Sequence, residues 1–361
     1  MVENKIKILI VGSWISAVYE EPLLQAMQQL GHQVSSFKWG PYFKFIPLSN
    51  QYDVKNSVWQ SLYYRIQNKY IWGPVIKKIN DELIRKCNEE KPEVLFLYRA
   101  THIWPTTIAK IKNQKCKIFI YNNDDPFNSK LPSYIYRFFK KSLSLADWIF
   151  SYREKNITDY QKLGYSNCSL LLSNYIKTQN YPIDNMSKDY DVIFIGHFEN
   201  DGRDEKILTL AKQANLKVGL WGLDWEASSL FEQIRECVEN EIKPLYGEDY
   251  NQTINRSKIA LVFLSKINND GYTRRCFEIP ATKTFMLCER QQEVQALFHE
   301  GIEADYFTTS EELLNKILYY IDNEDKRKKV AEAGYERLIQ DGHEIQDRAK
   351  QIIENYYLLK N

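Results

Sequence analysis

The sequence is poor in the features that identify a protein quickly. Its six cysteines (Cys87, Cys116, Cys168, Cys237, Cys276 and Cys288) form no C-x-x-C pair and no zinc-type spacing with the five histidines. A disulfide framework and a zinc module are therefore disfavoured, and the thiols read as reduced, mostly buried small hydrophobes. No apolar run approaches the roughly 18 residues that suggest a membrane span. The opening MVENKIKILIVG, with Glu3 ahead of a short apolar run from Ile6, reads as a buried strand rather than a secretory signal. A soluble, cytoplasmic chain is expected. The net charge is +1 with no basic or acidic tail, so nothing draws the chain toward nucleic acid and none is expected as a partner. Also missing are G-x-G-x-x-G, G-x4-G-K-[ST], G-x-S-x-G, H-E-x-x-H and the kinase H-R-D set.

What is present is the grammar of an α/β protein, twice. A chain of 361 residues exceeds the size at which single cores stop growing, which predicts two domains. Lys5 to Val11 reads as a strand ending at Gly12, followed by a loop, a helix from Pro22 to Leu30 closed by Gly31, and a strand from Gln33 to Phe37. After a polar segment, DYDVIFIGHFENDGRDEKILTLAKQANLKVGLWG restates strand, Gly196, loop, helix, strand. The expected organisation is a Rossmann-like acceptor-side domain over residues 1–175, a linker over 176–189 and a Rossmann-like donor-binding domain over 190–340. A C-terminal helix, residues 341–361, is expected to pack back on the first domain. Thr309 to Glu312 spells a capping box before a helix.

Residues 261–288, LVFLSKINNDGYTRRCFEIPATKTFMLC, carry the strongest functional signal. They read as a strand from Leu261 to Leu264, a polar loop, a short helix with Pro280 in its first turn, and a strand from Thr284 to Cys288. Asp270, Arg274, Arg275 and Glu278 crowd the loop and helix between the strands. Ligands of open α/β sheets sit beyond the carboxyl ends of strands. There an arginine can hold phosphate oxygens in a forked pair of hydrogen bonds, and a carboxylate can accept both hydroxyls of a ribose. The bland alternative is a solvated loop with surface ion pairs, each worth about 0–1 kcal/mol.

This motif resembles the C-terminal domain of GT-B glycosyltransferases of the group 1 type, most closely the CgeB-like (spore maturation protein-like) branch. Asp270 and Glu278 stand in the spacing of that group's E-x7-E motif, with Asp in place of the first Glu. The resemblance implies two Rossmann-like domains facing across a cleft and a nucleotide-diphosphate sugar as donor, with Glu278 on the donor ribose. It also implies a basic residue after the first glycine loop on donor phosphate, which Arg203 matches in G-x6-R spacing from Gly196; the alternative is a surface arginine at a helix start. The family's A-x-G turn is replaced here by Ala281, Thr282 and Lys283. Lys283 and the amides of the Lys283–Thr284 turn are then further candidates for donor phosphate. The phrases KPEVLFLYRA, NDDP, ADWIFSY and YQKLGY resemble the N-terminal domain of the same branch.

Glycosyl transfer in such sites neutralises the departing diphosphate with side chains rather than a metal, so no metal or other cofactor is expected. Activation of an acceptor hydroxyl needs a base, for which His102, Asp124 and Asp125 are the candidates. Asp125 also reads as a turn former before proline, and His102 as a group satisfying local backbone. The acceptor is expected to be a glycan, a lipid-linked sugar or a protein. Two alternatives stay open: a catalytically silent interaction protein of the same fold, and a nucleotide-sugar epimerase. From Phe37 to Asn80 the basic residues Lys38, Lys44, Lys55, Arg65, Lys69, Lys77 and Lys78 face one acid, Asp53, amid dense aromatics. The aromatics are expected either to pack into the first core or to form a peripheral membrane contact; KLPSYIYRFFKKSLSLADWI, from Lys130, repeats that chemistry.

Overall fold

The computed structural model describes residues 5–43, 58–129 and 131–360. The chain divides into two compact units, Met1–Leu172 with Ile345–Asn361, and Ser173–Glu344.

The first unit holds strands β1 (Lys7–Gly12), β2 (Gln33–Lys38), β3 (Val94–Tyr98), β4 (Lys117–Asn122), β5 (Trp148–Ser151) and β6 (Cys168–Leu170). They form one sheet in the order β2-β1-β3-β4-β5-β6, with every pairing parallel. Its helices are α1 (Glu20–Gln29), α2 (Val58–Tyr70), α3 (Pro74–Glu90), α4 (Pro105–Lys112), α5 (Arg137–Ser142) and α6 (Glu154–Lys162). β3 is buried along its whole length, as a central parallel strand covered on both faces must be. The C-terminal helix Ile345–Leu358 lies against α1, with Tyr356 Oη donating to Glu93 at 2.7 Å and Gln351 Nε2 donating to the Leu170 carbonyl at 2.7 Å.

The second unit holds β7 (Tyr190–Ile195), β8 (Val218–Trp221), β9 (Ser257–Val262), β10 (Phe285–Glu289) and β11 (Asp305–Phe307) in the parallel order β11-β10-β9-β7-β8. Helices α7 (Arg203–Ala211), α8 (Phe231–Cys237), α9 (Gly247–Asn255), α10 (Arg275–Ala281), α11 (Gln292–Leu297), α12 (Ser310–Asp322) and α13 (Glu324–Gln340) complete it. The capping box at α12 forms: Thr309 Oγ1 accepts from Glu312 N, and Glu312 accepts from Thr308 N.

Three local expectations need correction. Residues 176–189 are not a free linker. Asn251 and Asn255, one turn apart on α9, accept from the amides of Tyr181 and Ile183, and Lys188 donates to the Asn255 carbonyl, so the segment is packed into the second unit. The strand at Leu261 starts earlier, at Ser257, and ends at Val262. Pro280 lies near the end of α10 rather than in its first turn.

Both sheets reverse their winding once. In the first, β2 and β3 flank β1; in the second, β8 and β9 flank β7. The carboxyl ends of β1 and β3, and of β7 and β9, are therefore the two places where diverging connections open a crevice for a ligand.

Candidate functional site

At the second unit's switch point the chain leaves β7 through Gly196. Trp225 Nε1 donates to the Gly196 carbonyl at 2.9 Å, which fixes the turn. The following loop is braced from within. Arg203 donates to both carboxylate oxygens of Asp201 at 2.8 and 2.6 Å and to the His197 carbonyl at 2.6 Å. With 3% of its surface exposed, Arg203 is a structural bracket for residues 197–203 and has no guanidinium face left for phosphate, which corrects its expected role. Ser265 donates to Glu199 at 2.8 Å and Lys266 to the Asp201 carbonyl at 2.8 Å, tying this loop to the one after β9.

The loop after β9 leads through Asp270 into α10. Asp270 is half-buried, and its amide donates to the Ser265 carbonyl at 3.0 Å. Arg274 donates through Nε to Glu278, whose other oxygen accepts from Tyr250 Oη on α9 at 2.6 Å. Glu278 is thus buried in a local triad, and a ribose hydroxyl would share or displace these partners. Arg275 differs from its neighbour. Its buried Nε has no hydrogen-bond partner among the described residues, its guanidinium lies 5.6 Å from the centre of the Phe194 ring, and a Cβ placed on Gly196 would stand 3.1 Å from its Nη1. The same Cβ would stand 2.6 Å from the Phe194 ring, so glycine at 196 leaves room first for that ring and then for the cation beside it. Partial desolvation and the Arg275 charge push the His197 imidazole below its usual pKa, so it stays neutral at pH 7. The cavity beneath this corner, about 10 Å³ and lined by Ile193, Ile195, Tyr250 and Ile279 among others, has room for one water at most.

Lys283 and Thr284 lie elsewhere. α10 starts beyond the carboxyl end of β9 and runs back, so its last residues meet the amino ends of the strands. Thr284 Oγ1 donates to the Ile254 carbonyl just before β9, and Lys283 pairs with Glu332 on α13 at 2.7 Å. Neither reaches the corner that holds Gly196 and Arg275, and their expected donor-binding role is withdrawn.

In the first unit the three candidate bases separate. His102 is 5% exposed, stacks on Trp39 with ring centres 4.0 Å apart, and places its ring nitrogens 2.9 Å from Asn68 Oδ1 and 3.0 Å from Thr101 Oγ1. Burial drives its pKa down to about 3. It is a packed structural imidazole, not a group at a cleft edge. Asp125 is 1% exposed. Burial raises its pKa, but hydrogen bonds from Asn156 and the Phe127 amide, with Lys155 beside it, leave it below the usual value. It closes the turn after β4. Asp124 alone keeps an accessible carboxylate, paired with Arg99 at 2.7 Å and accepting from Tyr136 Oη at 2.9 Å. Arg99 directly follows β3 with φ +44°, a strained backbone of the kind that collects at functional sites.

Sequence reasoning passed over His197, Arg99, Tyr136 and Tyr250. Arg99 directly follows β3 and His197 follows the glycine directly after β7, positions that could have marked them; the tyrosines come from distant elements and left no local signal. Among the described residues no group of three or more His, Cys, Asp or Glu side chains is placed to hold a metal ion.

Residues 203–354 match the model of a family described as glycosyl transferase-like. No curated protein matches the chain. Solved structures similar to it over nearly its whole length include a sucrose-phosphate synthase from Thermosynechococcus elongatus (12% identity, 98% of this chain and 98% of that one, TM-score 0.67). Anabaena HepE in complex with UDP-glucose is another (12%, 97% and 98%, TM-score 0.67). A third is the UDP-GlcNAc 2-epimerase from Neisseria meningitidis bound to UDP-GlcNAc (14%, 98% and 99%, TM-score 0.58). At such identities the likeness concerns the fold, and the chain has the two-domain, Rossmann-like GT-B fold.

Proposed function

We propose that the chain is a glycosyltransferase that moves a sugar from a nucleotide-diphosphate donor to a glycan, lipid-linked or protein acceptor, without a metal, and that it belongs near the CgeB-like branch. The observation that carries this reading is the Arg275 guanidinium, its Nε unpartnered, against the Gly196 backbone at the switch point of the second unit. A cation in that place, in a loop already cross-braced, meets the charge that develops on the departing diphosphate without having to reorganise. Glu278, oriented by Tyr250 and Arg274, is the ribose partner, with Asp270 at the edge of the same loop. On the acceptor side, Asp124 is the candidate base: Arg99 and Tyr136 orient its carboxylate, and one oxygen remains for an acceptor hydroxyl. The cytoplasm, where free thiols persist and the six cysteines stay unpaired, is the compartment that suits the chain.

The test is calorimetry with UDP, GDP, dTDP and CMP compounds on the parent, Arg275→Ala and Lys283→Ala. One of these ligands should bind the parent, and the Arg275 change should weaken it by about 1.5–3 kcal/mol, tenfold or more. Lys283→Ala should bind like the parent. Equal loss in both variants would overturn the site assignment. Product analysis with the binding donor then separates transfer from the alternatives: a transferase releases the nucleotide and lengthens an acceptor, an epimerase returns an altered sugar nucleotide, and a silent binder changes nothing.

A further inference from the structure

The largest concentration of exposed apolar side chains among the described residues lies on α2 and the turn that follows it. Trp59, Leu62, Tyr63, Ile66, Tyr70 and Trp72 are each 45–79% exposed. Five of them follow the spacing i, i+3, i+4, i+7 and i+11, which is one continuous stripe of a helix, the stripe that ordinarily faces a core.

Here the opposite stripe is the one held by the protein. Tyr64 packs against the core of the first unit and Ile71 is buried in it. Gln67 Oε1 accepts from the Val75 amide at 2.8 Å, and Asn68 Oδ1 lies 2.9 Å from the buried His102 ring. Arg137 donates to the carbonyls of Tyr70 and Ile71 at 2.7 Å and closes the helix end. Rolling α2 to hide its apolar stripe would strip partners from these buried polar groups, so the outward orientation is built in.

Charge selects what covers the stripe. Between residues 58 and 78 stand Arg65, Lys69, Lys77 and Lys78 and no acid; Asp81 and Glu82 come next and pair with Lys77 and Lys78. A second copy docked by two-fold symmetry would set Arg65 and Lys69 against themselves. An anionic bilayer meets both halves of the chemistry: tryptophan and tyrosine seat at the headgroup boundary, and each nearby basic residue strengthens binding roughly fivefold. No described helix is long and apolar enough to cross a membrane, so the contact is peripheral. We infer that α2 and the turn to Trp72 form a docking surface for an anionic lipid bilayer. The inference rests on α2 alone and not on the proposed reaction.

The experiment is flotation of the full chain with phosphatidylcholine vesicles and with vesicles in which roughly a third of the lipid is phosphatidylglycerol. Salt is raised from about 0.1 M to about 1 M, which shortens the screening length from about 10 Å to about 3 Å. The parent should float with the anionic vesicles only, and lose at least about tenfold in partition at high salt. The double variant Trp59→Ser, Trp72→Ser should lose at least as much while binding nucleotides like the parent. As a measurement that needs no variant, brominated lipid should quench the parent's tryptophan fluorescence. Absence of flotation and quenching, equal flotation with neutral vesicles, or a solution dimer that the double variant abolishes without any vesicle binding would each overturn the proposal.

Discussion

At the ends of β1 and β7 the chain makes the same corner with opposite charge. After β1, Gly12 is followed by amides that a phosphate would ordinarily occupy, and there the Glu20 carboxylate accepts from Ser13 N at 2.9 Å, Trp14 N at 3.1 Å and Ser13 Oγ at 3.3 Å. Glu20 is buried, and burial raises its pKa against the pull of those donors. After β7 no carboxylate folds back. A Cβ on Gly196 would meet the Phe194 ring at 2.6 Å and, next to it, the Arg275 guanidinium at 3.1 Å. In the first unit a carboxylate of the chain itself occupies the corner amides; in the second a guanidinium lies beside the corner glycine. The lesson is that the Rossmann-like corner supplies geometry, while one residue on a neighbouring segment decides whether it is a site at all.

The strongest way to break this contrast is to give the second unit the first unit's solution. Arg275→Glu should place a carboxylate at the Gly196 corner and reduce nucleotide-diphosphate affinity by more than about 100-fold, about 3 kcal/mol or more, measured by calorimetry. Binding retained within a few fold would mean that the corner is not where the diphosphate sits. The reciprocal change addresses stability instead. A Cβ at Gly12 would stand 2.5 Å from Glu20 Oε1 and 2.8 Å from its Cγ. Gly12→Ala should therefore displace the carboxylate from its donors and cost about 2–3 kcal/mol in urea unfolding, with nucleotide affinity unchanged.

A smaller effect sharpens the view of the first unit as a place of internal satisfaction. His102 has a folded pKa of about 3 against an unfolded value near 6.5, so the unfolded chain takes up its proton first as pH falls. Its contribution is complete above the unfolded pKa and is lost progressively toward the folded one. Between pH 7.5 and pH 5 the loss is about 2 kcal/mol. In His102→Gln the dependence of unfolding free energy on pH over that interval should flatten by about this amount. An unchanged dependence would mean that the ring is charged in the folded chain.

The two units also differ in how much of them was legible in the sequence. Val94–Tyr98 is an uninterrupted apolar run and Tyr190–Ile195 is one from Val192 on, closed by Gly196, and their places in two parallel sheets followed from local pattern. The D-x7-E segment was legible as a site because its charges sit at a strand-to-helix junction. Which arginine remains available was not, because residue types alone do not say which side chains close on one another: Asp201 takes Arg203 two residues on, Glu278 takes Arg274 four residues back, and Tyr250, 28 residues from Glu278, completes that triad. For the same reason His102 read as a candidate base. Nothing near it in sequence announces Trp39 stacked on its ring or Asn68 beside its Nε2. The aromatic segment was read two ways, and its described part divides between them: Trp39, Phe43 and Ile71 are core, while Trp59 and Trp72 are outside. Lys44, Asp53, Lys55 and Lys130 fall outside the described residues.

The smallest expected effect belongs to Lys283. Its φ of +56° gives the helix end a left-handed residue, and its ammonium lies 2.7 Å from Glu332 and 4.7 Å from the centre of the Tyr335 ring. Both charged partners are more than a third exposed, so solvent screens the pair and its worth is about 0.5 kcal/mol or less. Lys283→Met should accordingly shift the urea midpoint slightly and leave nucleotide affinity as in the parent, whereas Lys283→Gly should stabilise by up to about 1 kcal/mol through relief of the left-handed backbone. A marked fall in nucleotide affinity in either variant would contradict the assignment of this turn to the amino edge of the sheet. It would also narrow the contrast between the two corners, because the second unit would then hold its ligand with a cation that the Gly196 loop does not approach.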